Sequence, residues 1–154
     1  MRHDATVGAS VDDDLMLAFG AELIRISGRR ATTYPGSVLD NSAFRILWML
    51  VEAGPRTLGE LAVDLQLEQS TINRQVNAAI QHGLVERYAV EGRTSRSLRP
   101  TPGGEEAYRH DRGLRAAVYA EVLIELGAAR AHELVQRMRE FNDALDRAHA
   151  RTRD

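Results

Sequence analysis

The chain has 154 residues, 44% hydrophobic and 27% charged, with no cysteine and a formal net charge of −2. That is the length of one globular domain with its own core, and the composition excludes a disordered chain, a collagen-like repeat and a disulfide scaffold. The absence of cysteine removes thiol nucleophiles, cysteine-ligated zinc and thiol redox switches, and no run of about 18 apolar residues exists to span a membrane.

Residues 1–11 read as a flexible tail, and Met1 to Asp14 is polar and acidic, unlike a secretory signal, so the expected compartment is the cytoplasm. Ser10 is a candidate cap for a helix that opens on Asp12, Asp13 and Asp14, acids suited to the positive end of a helix dipole. Leu15, Phe19, Leu23 and Ile26 recur at helical spacing, widened by Met16 and Ile24, which predicts an amphipathic helix over roughly 12–29. The stretch 33–37 breaks it. A second helix is expected at 41–53 through Phe44, Leu47, Trp48 and Val51, ended by Gly54-Pro55. Thr57 with Glu60 is a capping-box pair, and Leu58, Leu61, Ala62 and Leu65 give a short third helix. After a break at Gln66-Leu67, a fourth helix is expected at 69–82, with Ile72, Val76, Ala79 and Ile80 inward and Gly83 as its stop. The period then changes to two. Residues 84–90 are β-prone, 91–95 form a turn, and 97–99 return as a second strand. Thr101-Pro102 opens a long fifth helix to about 126, carrying Leu114, Val118 and Val122. Gly127 interrupts. The last helix, about 130–150, repeats Leu134, Met138, Phe141, Leu145 and Ala148 as a heptad seam. Two heptads are too few to stand alone, so the seam packs on helices of this chain or of a second copy.

The expected fold is therefore mainly α with a small β-hairpin wing. A winged helix–turn–helix (37–101) sits on a helical platform made by the N-terminal helix (12–36) and the C-terminal helices (102–154). Two short helices joined by a tight turn and followed by a hairpin place the second helix where the DNA major groove is read. The charge follows the same plan: residues 69–100 hold 5 Arg against 2 acids, whereas 1–68 hold 6 against 10 and 101–154 hold 9 against 10. All 20 basic residues are Arg. Genomic base composition is the plainer account of the missing Lys, but an Arg fork does match phosphates and guanine edges better. Gln69, Ser70, Thr71, Asn73, Arg74, Gln75 and Asn77 are side-chain types that read bases or hold phosphates, and no acid lies between Gln69 and Ile80. Arg93 and Arg96 at the hairpin tip are placed for phosphates or the minor groove. Arg87 reads as a brace for the wing.

These residues resemble the MarR-type winged-helix regulators along nearly the whole chain, from about Leu15 to Ala148. The family segment L-x-E-L-A-x-x-L-x-L-x-x-S-T-V-x-R-x-V is matched by Leu58-Gly59-Glu60-Leu61-Ala62, Leu65, Leu67, Ser70-Thr71-Ile72, Arg74 and Val76. Its G-L-V-x-R is Gly83-Leu84-Val85-Glu86-Arg87, and its L-T-P-x-G is met by Arg99-Pro100-Thr101-Pro102-Gly103-Gly104. The resemblance implies a homodimer, with the helical platform as its dimerisation platform, and a transcription regulator, most simply a repressor, whose partner is double-stranded DNA carrying a palindromic operator. Dimer contacts are then expected from Leu15, Phe19, Leu134, Met138, Phe141 and Leu145. It also implies release by a small aromatic or anionic effector in a crevice between platform and reading module, with Tyr34, Arg45, Trp48 and Tyr108 as candidate lining; Trp48 on an apolar helix face is more often plain core. Three positions depart from the pattern. Gln66 replaces a usual Gly and, if left-handed, costs on the order of 1 kcal/mol. Gln75 stands where apolar residues are common. Glu91-x-Arg93 replaces Asp-x-Arg.

No catalytic set, cofactor site or metal site is read. His132-Glu133 lacks the second His of a zinc-protease motif because position 136 is Gln. His110-Asp111 is at most a weak metal pair, and no Ser sits in a G-x-S-x-G turn. The alternative to a DNA-binding regulator is a helical protein–protein interaction module of the same fold. The near-zero charge of Thr57–Pro100, 5 Arg against 5 acids once Glu60, Asp64 and Glu68 are included, leaves room for it.

Overall fold

The computed structural model describes residues 11–29, 34–92 and 94–152. Six helices and three short strands follow in the order α1 (Asp13–Arg29), α2 (Asn41–Glu52), β1 (Arg56–Thr57), α3 (Leu58–Asp64), α4 (Gln69–Gln81), β2 (Val85–Tyr88), β3 (Ser97–Pro100), α5 (Pro102–Leu126) and α6 (Ala128–Arg151). The fold is mainly helical with a small antiparallel sheet. Ser10 lies outside the described residues; Asp12 instead accepts the Asp14 N–H in the first turn of α1. The unexpected element is β1. It is only two residues long, too short to show a period, and pairing with β3 makes it a strand (Arg56↔Leu98, Thr57↔Ser97). The sheet order is β1-β3-β2, with Val85↔Pro100 through Tyr88↔Ser97 in register.

Caps define where the helices of the central module begin. Asp40 accepts the Ala43 N–H at the start of α2, Thr57 and Glu60 form the reciprocal capping box of α3, and Thr101 accepts the Gly104 N–H at the start of α5. Between α3 and α4 the chain turns through Gln66 at φ 52°, the one left-handed non-glycine among the described residues. The Leu67 N–H closes this turn on the Ala62 carbonyl.

The core is made by Leu39, Ile46, Leu47, Leu50, Leu61, Ile72, Val76, Val85, Leu98 and Tyr108 with smaller neighbours. Apolar faces of α2, α3 and α4 converge on the sheet, and α5 closes the group. α5 approaches the wing so closely that a Cβ at Gly104 would overlap the Leu84 carbonyl oxygen. That same carbonyl accepts the Thr101 N–H at 3.0 Å. α1 and α6 bury no residue at all.

Candidate nucleic-acid interface

α4 turns three inward positions, Ile72, Val76 and Ala79, into the core. Helical geometry then dictates the rest: Ser70, Arg74 and Asn77, spaced by four and three, share the opposite face, with Asn73 beside them. All four are exposed, as is Gln69, while Thr71 and Gln75 are half-buried on the flanks. Gln75, Ala78 and His82 line a cleft toward the start of α2. On the opposite flank Gln69 and Asn73 share an open groove with Thr57, Arg87 and Arg96. Among the described residues, Arg74 and Arg96 have neither a hydrogen bond nor an ion pair, so both forks are available to a partner. Arg93 lies outside the described residues, and with it the pairing expected for Glu91.

The scaffold under this face is tied at several points. The Arg45 fork donates to the Leu65 carbonyl at the end of α3 (3.1 Å). Arg56 pairs with Asp64 (3.1 Å) and donates to the Ala53 and Pro55 carbonyls. Arg87 of β2 donates to Asn77 Oδ1 at 2.7 Å, joining the wing strand to α4. Across the wing, Arg99 pairs with Glu86 at 2.7 Å and lies over the Tyr88 ring, 4.6 Å from its centre.

A second cluster lies where α5 meets α2 and the segment before it. Asp111, 1% exposed, accepts from the Ser37 hydroxyl and from the Val38 and Leu39 N–H groups. Burial alone would raise its carboxyl, but those three hydrogen bonds together outweigh burial and hold it below the usual aspartate value. His110 Nε2 contacts the Gly36 carbonyl at 2.9 Å. The two neighbours weighed as a metal pair thus clasp one loop, and no metal-holding group of three such side chains exists among the described residues. One turn on, Arg115 stacks on Phe44 (3.7 Å to the ring centre) and on Tyr34 (4.9 Å). Its Nε is the only buried side-chain nitrogen or oxygen without a hydrogen-bond partner among the described residues. Tyr34 donates to the Tyr119 hydroxyl at 3.3 Å, and this bond, with partial burial, raises its ionisation.

The four residues expected to line an effector crevice take different places. Tyr34 belongs to the Arg115 cluster. Tyr108 is core: it packs on Phe44, and its hydroxyl donates to Glu52 at 2.7 Å, so that burial first and this bond second push its ionisation far up. Arg45 faces α3. Trp48 stands one turn along α2 from Phe44 and is 50% exposed, so it is not core. Arg115 and Tyr119 carry no signal in the sequence, and Asp111 reads there only as half of a weak metal pair. Their partners are about 70 to 85 residues away in the chain, and no local spacing marks them.

The terminal helices carry an apolar surface of a different kind. Leu15 and Phe19 of α1 and Leu134, Met138, Phe141 and Leu145 of α6 are all exposed, between 39% and 61%. Phe19 and Phe141 do meet, their ring centres 5.3 Å apart. No helix among the described residues is long and apolar enough to cross a membrane.

A family model described as the MarR family matches residues 39–93, the span from the start of the core to the wing turn. That match ties the winged-helix segment to the MarR family and leaves the terminal helices outside it. Solved structures agree in fold. A MarR mutant from E. coli complexed with operator DNA is 17% identical, with 86% of this chain and 99% of that one covered at a TM-score of 0.71. A MarR family protein from Bacillus stearothermophilus is 22% identical, covering 88% and 99%, TM-score 0.70. NadR in complex with 4-hydroxyphenylacetate is 18% identical, covering 88% and 96%, TM-score 0.65. No curated protein matches the sequence.

Proposed function

We propose that this MarR-family protein is a homodimeric repressor that reads a palindromic operator through two symmetry-related α4 helices. The observation that carries the reading is the outer face of α4. Ser70, Asn73, Arg74 and Asn77 stand exposed on one side of a helix with no acid, and Arg74 has no partner within the described chain. A merely solvated helix would mix charges along such a face. The dimer is supported by the exposed apolar rows of α1 and α6, because a contiguous apolar surface of this kind marks an interface. A second copy is the occupant that the symmetry of operator half-sites asks for.

The same reading includes an effector. Arg115 offers a buried, unpaired N–H between the rings of Phe44 and Tyr34, with two phenol hydroxyls alongside. A small aromatic anion meets that chemistry: its carboxylate takes the guanidinium and accepts from the phenol hydroxyls. NadR, which shares the fold, was solved with 4-hydroxyphenylacetate, a ligand of this class.

The test is fluorescence anisotropy on DNA from upstream of the gene, against a scrambled duplex, at two salt concentrations. Saturable binding to the native duplex only, weakening as salt rises, is the expected result. Arg74→Ala is expected to lose about 1–3 kcal/mol of operator affinity, as for a bidentate base contact. Unchanged operator affinity in that variant removes Arg74 from the reading. Salt-insensitive association with a protein partner, and none with DNA, would replace the proposal by the interaction-module alternative.

A further inference from the structure

We infer that Arg87 sets what Asn77 can read, making it select guanine over adenine. The inference rests on the DNA-reading role of α4 proposed above and deepens it. Asn77 shares the exposed face of α4 with Ser70 and Arg74, and Arg87 reaches it from β2, where it is paired in register with Leu98. An arginine side chain has only donors. The amide of Asn77 is therefore oriented by chemistry: Oδ1 faces Arg87 at 2.7 Å and the NH2 group faces away.

A free asparagine in the major groove pairs with adenine by accepting from N6 and donating to N7. Here the accepting end is engaged and has a full positive charge beside it, which opposes the approach of a second donor. What Asn77 has left is its NH2. Guanine presents N7 and O6, two adjacent acceptors, whereas adenine sets its N6 donor beside N7. An outward NH2 finds two acceptors on guanine but one acceptor and one competing donor on adenine. Arg87 acts through Asn77 and is a positioning residue.

The experiment is selection of the full-length protein and its variants on a randomised duplex library, read by sequencing. Asn77→Ala identifies the base pair under this residue as the one position in each half-site whose preference disappears. At that position the unaltered protein is expected to favour guanine by about fivefold, the worth of one hydrogen bond. Arg87→Met keeps the aliphatic arm but frees the amide, and is expected to shift that position alone toward adenine. Combined with Asn77→Ala, it changes nothing there. Asn77→Asp keeps a partner for Arg87 but has no N–H, and is expected to lose the guanine preference. Both side chains are exposed, so equal melting temperatures are expected throughout.

Adenine favoured by the unaltered protein, or a preference indifferent to Arg87→Met, overturns the inference. So does Arg87→Met weakening all duplexes alike with a salt slope lower by about one, the mark of a phosphate contact. If the unaltered protein enriches no duplex at all, the DNA-reading proposal itself fails and this inference falls with it.

Discussion

The central module and the terminal helices solve the burial of apolar surface in opposite ways. Between Leu39 and Tyr108 the apolar side chains of four helices and a sheet close on one another, and Ile46, Leu47, Leu61, Ile72 and Val76 are wholly out of solvent. In α1 and α6, helices of 17 and 24 residues, no side chain is buried, although the apolar spacing is as regular as in the core. Periodicity thus announces that a face will be covered, not what covers it. The central faces are covered from within the chain. In the proposed dimer the terminal rows are covered by a second copy.

That contrast can be broken by two substitutions. Leu47→Ala opens a cavity in a closed core and is expected to cost about 2–5 kcal/mol, whatever the protein concentration. Phe141→Asp is expected to leave the module folded but to bring the mass in light scattering down to that of one chain, 17.1 kDa. It also removes the concentration dependence of the melting temperature, which a dimer must show. Trp48, the only tryptophan, lies inside the module and reports its unfolding by fluorescence. A Phe141→Asp protein that loses the Trp48 transition as Leu47→Ala does would mean that the two regions are one folding unit.

The clasp at Asp111 sharpens the comparison, because it lies where platform and module join. Asp111→Asn leaves buried N–H donors facing an amide with one acceptor fewer, a loss of about 1–3 kcal/mol. The pH dependence has a definite sign. The folded carboxyl titrates below its ordinary value. Its contribution is therefore present above the usual aspartate pKa and lost as pH falls through the lower, folded value. Urea titrations at successive pH values should show the gap between Asp111→Asn and the unaltered protein closing below about pH 4. A gap that stays constant into acid would mean that the carboxylate's charge is not what the clasp uses.

What the sequence made legible, and what it did not, follows from distance along the chain. The capping box at Thr57 and Glu60, the Thr101-Pro102 helix start and the inward row of α4 depend on neighbours three or four residues away, and a local pattern carries them. β1 depends on β3, some 40 residues on, and has no period of its own. His110-Asp111 read as a weak metal pair because the loop that occupies both side chains lies more than 70 residues upstream. Gly104 read only as part of a helix start; that it admits α5 against the Leu84 carbonyl is a fact of packing. The reading face of α4 was legible because its residues belong to one helix. The Arg115 cluster was not, because it is assembled from three separate elements.

The smallest predicted effect concerns the turn that aims α4. Gln66 departs from the glycine that MarR-type sequences carry there, and its φ of 52° is the conformation a Cβ makes costly. Replacement by glycine relieves that strain but gives the unfolded chain more freedom to lose on folding. The two terms oppose each other, and relief of the left-handed strain is the larger. Gln66→Gly is thus expected to stabilise the module by up to about 1 kcal/mol, measured as a rise in urea midpoint at constant slope. The Gln66 side chain is exposed and makes no hydrogen bond within the described chain, so no contact is lost to offset the gain. A lower midpoint would show that the backbone of this turn is held by more than its own torsions. Affinity for DNA then becomes the informative second reading: a glycine that loosens the turn blurs the angle at which α4 is presented, whereas one that only relieves strain leaves binding unchanged.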